Sequence, residues 1–177
     1  MIDLATLHRW GFSLLYLVLA GAIIFMRLLP FGGGGMPPPN LILLVGFAWV
    51  LRRPDYLPVW LFATVLLMTE LLFQHPPGIG AGVAVIALEF LRGRAILMRQ
   101  QSFTMEWITV GLVLIAMLLG ERLLLALFVV DQVSFGLSVL SLAVNIMFYP
   151  LVVAVSIFLF HVRRLTPGEH VGEARLL

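Results

Sequence analysis

The sequence predicts an all-α polytopic membrane protein, one bundle of about six transmembrane helices with both termini cytoplasmic. Three observations predict it. Mean hydropathy is +1.09 and charged residues make up only 11% of the 177, against roughly a quarter in a soluble domain. That leaves too little polar surface to coat a water-soluble globule. Apolar runs alternate with turns rich in proline, glycine and arginine. Nine of the eleven arginines (9, 52, 53, 92, 94, 99, 163, 164 and 175) fall on one alternating set of ends and turns, leaving Arg27 and Arg122 for the other. Short loops that keep arginines stay on the cytoplasmic side, so this bias sets the orientation.

The stretch Arg52 to Gly80 anchors the layout. Arg52, Arg53, Pro54, Asp55 and Pro58 form a charged, proline-bracketed turn. The apolar run Val59 to Phe73 follows, carrying one ionisable group, Glu70, and then His75, Pro76, Pro77 and Gly78 force a second turn. Such a helix should run from inside to outside.

The spans expected in order cover 10–29, 40–51, 58–74, 79–91, 103–130 and 134–161, within one transmembrane domain over 1–165. Residues Met1 to Trp10 make a short amphipathic lead, and no small-x-small cleavage site precedes a polar mature domain, so the first helix is expected to be retained. Phe31 to Pro39, FGGGGMPPP, cannot be helical, because glycine costs entropy in a helix and proline lacks the N–H a helix needs. Asn40 is a candidate N-cap.

The helix it opens, Leu41 to Leu51, holds about a dozen residues where about 20 span a bilayer. The Pro-rich segment dips into the membrane, or the bilayer thins, or the helix sits inside the bundle. The last two are favoured because irregular backbone must be shielded from lipid. The run Ile79 to Leu91 is also short and follows Gly78, with Gly80 and Gly82 in its first turn, the spacing that lets helix backbones approach closely. In the fifth segment Glu121 and Arg122 interrupt the apolar character, so that Leu123 to Val130 continues the helix or forms an interfacial turn. A kink is expected at Pro150 in the last span. Residues 166–177 are a polar cytoplasmic tail.

Composition excludes several classes. Without cysteine there are no disulfides, no thiol catalysis and no thiolate metal sites. The basic pI follows from topology, with no nucleic-acid footprint. No nucleophile elbow, H-E-x-x-H or phosphate loop is present. Glu70 and Glu89 fall near opposite membrane faces and cannot work as a paired acid and base. No catalytic, cofactor-binding or metal residue is therefore expected, and the chain is read as a non-enzyme.

With the spans placed, the sequence resembles the MreD family of the bacterial cell-elongation machinery. The residues that carry the likeness are Arg53-Pro54-Asp55 with Pro58 before the third span, and an acidic residue late in that span, followed by the turn Pro77-Gly78-Ile79-Gly80. Asn145 and Tyr149-Pro150-Leu151 before a dibasic end match the family's closing helix. Length and span count agree over essentially the whole chain. In the family the late acidic position is often Asp, where this chain has Glu70, and its neighbour Thr69 stands where glycine is more typical. The resemblance implies a multi-pass protein of the bacterial inner membrane that binds MreC. Through MreC it would act with MreB, RodA and a class B penicillin-binding protein in lateral peptidoglycan synthesis. It also implies a fold shared with the substrate-binding subunits of energy-coupling-factor transporters, so the alternative function is capture of a small vitamin-like ligand. A lipid-handling role is a third reading.

Two intramembrane polar residues stand out. Glu70 lies about 18 Å along its helix from the turn, where a carboxylate is costly. It serves internal structure, contact with a partner or ligand, or proton chemistry. Asn145 packs within the bundle or against a partner's helix, as an amide in lipid needs partners. Glu89 and Arg92 are spaced to pair at i,i+3. Arg52, Arg53 and Asp55 mark topology or bind a cytoplasmic partner or anionic lipid. Trp10, Trp49, Trp60 and Trp107 are expected in an aromatic belt near the inner face.

Overall fold

The computed structural model describes residues 4–29, 37–98, 100–130 and 132–159. The glycine-rich part of the first loop, Arg99, Asp131, the end of the last span with His161, Arg163 and Arg164, and the polar tail lie outside the described residues. Six helices follow one another: α1 (Leu4–Leu28), α2 (Leu41–Arg52), α3 (Val59–Leu72), α4 (Ile79–Met98), α5 (Phe103–Leu127) and α6 (Phe135–Phe158). Among the described residues there is no strand. Among the described residues three stretches are long and apolar enough to cross a membrane: Arg9–Leu28, Phe103–Leu127 and Phe135–Phe158. α2 and α3 are apolar but shorter. The chain is an all-helical membrane protein.

The short second helix is the centre of the bundle. It packs against α4 and α6, touches α1 and α3, and every residue from Ile42 to Arg52 except Val45 is buried. A helix that is apolar all round belongs in an interior, where the length needed to span lipid does not apply. Its start is held three ways. Asn40 Oδ1 accepts from Leu43 N at 3.4 Å, and Arg27 donates to the carbonyls of Pro38 and Pro39 at 3.3 and 3.2 Å. The Asn40 backbone N–H donates to Asn145 Oδ1 at 2.7 Å. Around α2, aromatic side chains from α1, α3 and the α2–α3 turn interlock: Phe12 stacks on Tyr56 at 4.1 Å, and Tyr16 lies 5.9 Å from Trp49. Tyr16 Oη also donates to Ile42 O at 3.1 Å.

α2 and α3 meet so closely at Gly46 that an added Cβ would collide with the Phe62 ring and stand 3.4 Å from Leu57. Phe62 is fully buried against Phe47 and Tyr16 and has little room to yield. Gly46→Ala should therefore lose about 1–3 kcal/mol. Gly82→Ala, where nothing lies within 4 Å of the new methyl, should be neutral or gain up to about 1 kcal/mol of helix propensity. Thermal melting of the two detergent-purified variants checks the contrast.

Two helix ends differ from the sequence reading. α4 does not stop at Leu91 but runs to Met98, since charges end an apolar run without ending a helix. Arg92 Nε pairs with Glu89 at 2.8 Å, its terminal nitrogens donate to Pro54 O and Leu57 O at 3.0 and 2.7 Å, and Arg94 lies over Phe90 at 4.5 Å. α5 ends at Leu127 in a turn whose Val129 has φ +54°, a left-handed conformation costly for a β-branched residue. α6 passes through Pro150 as one continuous helix. Pro150 has no N–H to offer the carbonyl of Ile146, and Trp107 Nε1 donates to that carbonyl instead at 2.9 Å.

Candidate functional site

The bundle has two polar ends. At one, the α2–α3 turn meets the starts of α1 and α5 and the end of α4. At the other, the α3–α4 turn meets the end of α5.

The first end holds a buried ion pair that links three helices. Arg52, in the last turn of α2, donates through Nη1 and Nη2 to both oxygens of Glu106 on α5, at 2.7 and 3.2 Å. Tyr149 Oη of α6 donates to Glu106 Oε1 at 2.6 Å, and Arg52 Nη1 also reaches Ala48 O at 3.1 Å. Arg52 is 2% exposed, and Glu106 and Tyr149 are fully buried. The sequence puts Arg52 in a charged turn, but in the structure it is helical and interior. Glu106 escaped the sequence reading altogether. A lone carboxylate near the start of an apolar helix was the available signal, and Arg52 was a cation able to balance it. Around this pair Trp49 Nε1 donates to Ser156 Oγ at 3.2 Å. Trp49 is thus an interior donor rather than a member of a belt, Trp107 is partly buried, and Trp10 and Trp60 are exposed.

Only the remaining turn charges sit at the surface. Asp55 approaches Arg9 at 3.7 Å, and Arg53 lies over the Tyr56 ring at 5.6 Å. Pro54 accepts from Arg92, while Pro58 is the N-cap position of α3.

At the other end Glu70 caps a helix. Its Oε2 accepts from Gly78 N at 2.6 Å and its Oε1 from Ala81 N at 2.5 Å, so one carboxylate takes two of the free N–H groups at the start of α4. A helix N-terminus leaves such donors without partners and favours negative charge. Gly78 turns the chain into α4 with φ +89° after Pro77, and Gly80 faces the carboxylate so closely that a Cβ there would lie 2.7 Å from Oε1. That packing explains the glycine. Asn145 does for α2 what Glu70 does for α4, through its bond from Asn40 N. Both of these polar residues have partners inside the chain, at the starts of the second and fourth helices. Arg122, at the same end as Glu70, donates to Gln132 Oε1, Val133 O and Ser138 Oγ at 3.3, 2.8 and 2.8 Å, and so ties α5 to α6.

Of the polar residues toward this end, Glu70 and Glu121 both face Gly80. Glu70, Asn145 and Gln132 are engaged as described, Gln74 and His75 are exposed in the α3–α4 turn, and Asp131 lies outside the described residues. Among the described residues no three His, Asp or Glu side chains gather in a way that could hold a metal ion. A groove of about 430 Å³ lies instead toward the Arg52 end, between Phe103 of α5 and the Pro150–Phe158 part of α6, with Arg52 in its wall. No family model, curated protein or solved structure matches this chain.

Proposed function

We propose that this chain is a non-catalytic membrane scaffold of the MreD type, binding MreC in the bacterial inner membrane and supporting lateral wall synthesis. All six helices cross the membrane in this reading, with the Arg52 end and both termini cytoplasmic, as the arginine bias suggests. MreB, RodA and a class B penicillin-binding protein are reached through MreC.

The observation that carries the reading is where the polar groups are used. Arg52, Glu106, Tyr149, Glu70 and Asn145 all bond other helices of the same chain. What the bundle offers its surroundings is apolar helix surface, exposed along α1, α5 and α6. Helices recognise such a surface through close packing. The resemblance around Arg53-Pro54-Asp55 and Tyr149-Pro150-Leu151 supplies the identity of the partner.

Affinity purification of the tagged chain from its native membrane in mild detergent, with mass spectrometry, tests the proposal. Recovery of MreC with wall-synthesis enzymes is expected. Recovery of paired ATPase subunits, or of a bound vitamin without wall proteins, would overturn it in favour of a transport subunit.

A further inference from the structure

We propose that Glu121 and Glu70 form a proton-operated latch that fastens the end of α5 to the α3–α4 turn, closed in acid and released as pH rises. The latch works within one chain and stands whichever partner the bundle binds.

The two side chains come from different helices and meet over Gly80. A Cβ built on Gly80 would lie 2.7 Å from Glu70 Oε1 and 3.6 Å from Glu121 Oε1. Glycine leaves that space to the two carboxyl groups. One turn on, Val83 of α4 packs over Gly120 of α5, so the two backbones run close here. Glu70 is 8% exposed, and both its oxygens accept from backbone N–H groups of α4. Glu121 is exposed and has no hydrogen-bond partner among the described residues.

Three charged groups act on Glu121: Glu70 repels it, while His75 and Arg122 attract it. Arg122 is already committed to Gln132, Val133 and Ser138. Arg27 of α1 lies over Phe73 and bonds Pro38 and Pro39. The facing turns of α4 and α6 carry no charged side chain.

Of the two carboxyls, Glu121 takes the first proton. The charge on Glu70 is held by two N–H donors at the positive end of a helix, and Glu121 has neither. Protonated, Glu121 donates to Glu70 Oε1, which has a lone pair to spare, and so joins α5 to α3 and α4. Ionised, it faces a second carboxylate with no donor between them, and like charges at this range repel. The turns on both sides are strained. Gln74 in the α3–α4 turn and Val129 after α5 have φ +57° and +54°, values that residues other than glycine seldom adopt. Strain of this kind gathers in segments that switch.

The test uses the full chain in lipid vesicles. The sequence has no cysteine, so Leu71→Cys and Leu127→Cys, at positions 57% and 73% exposed, carry one pair of spin labels. Raising the pH from about 4 to about 8 should move the labels from a shorter to a longer separation, the ratio of the two populations rising roughly tenfold. Glu121→Gln, whose amide N–H replaces the carboxyl proton, should hold the shorter separation throughout. His75→Gln should keep the wild-type response. A wild-type separation that ignores pH overturns the proposal, as does a Glu121→Gln protein that still responds. Loss of the response in His75→Gln overturns it too, because the titrating group would then be the histidine.

Discussion

Glu106→Leu should cost about 3–5 kcal/mol, the usual penalty for removing one partner of a buried ion pair. Three donors converge on this carboxylate, two from Arg52 and one from Tyr149, in a site that neither water nor lipid reaches. Leucine would leave the guanidinium charged and the hydroxyl unpaired in a medium of low dielectric constant. The penalty belongs to the broken pair more than to the intact one, since well-packed apolar replacements of buried ion pairs are often neutral or stabilising. The triple variant Arg52→Met, Glu106→Leu, Tyr149→Phe should therefore recover most of the loss. Arg9→Gln offers the contrast, because its partner Asp55 stands 3.7 Å away and both side chains are about half exposed. Its effect should be at most about 1 kcal/mol. Unfolding midpoints by size-exclusion after graded heating would rank the variants, and a Glu106→Leu protein as stable as wild type would refute the account.

Glu70→Leu should cost about 2–5 kcal/mol, because two backbone donors lose their acceptor at once and each unsatisfied group costs about 1–3 kcal/mol. Gln at this position keeps one carbonyl acceptor and should lose roughly half as much. Gly80→Ala should approach the Leu variant, since its methyl would contest the space of Oε1. Limited proteolysis at the 73–78 turn reads the same event, with cleavage faster when α4 loses its cap. Partner recovery separates this role from the other one considered for Glu70. A Leu variant that keeps full stability yet loses its partner would make the carboxylate a contact residue instead of a cap.

These two residues also show how far the sequence reaches. The class and the order of helices and turns were legible along the chain, since apolar runs and prolines are local and additive. The cap at Asn40, the i,i+3 pair of Glu89 with Arg92, and the turn glycine at 78 lie within a few residues of their causes. Glu70 was recognisable as costly, but its acceptor role depends on how the turn at Pro77 folds α4 back over it. Asn145 and Asn40 are 105 residues apart, and Glu106 lies 54 from Arg52 and 43 from Tyr149. No period or spacing announces such pairs.

The sequence by itself determined that this is a helical membrane protein, where its turns fall, and which residues are expensive to keep out of water. Tertiary structure alone decided what meets those residues. It placed the short second helix at the centre, buried Arg52 with Glu106 and sent Trp49 inward. The physical reason is that a buried polar group must find its partner within the protein, and which group lies close enough is set by how the helices pack.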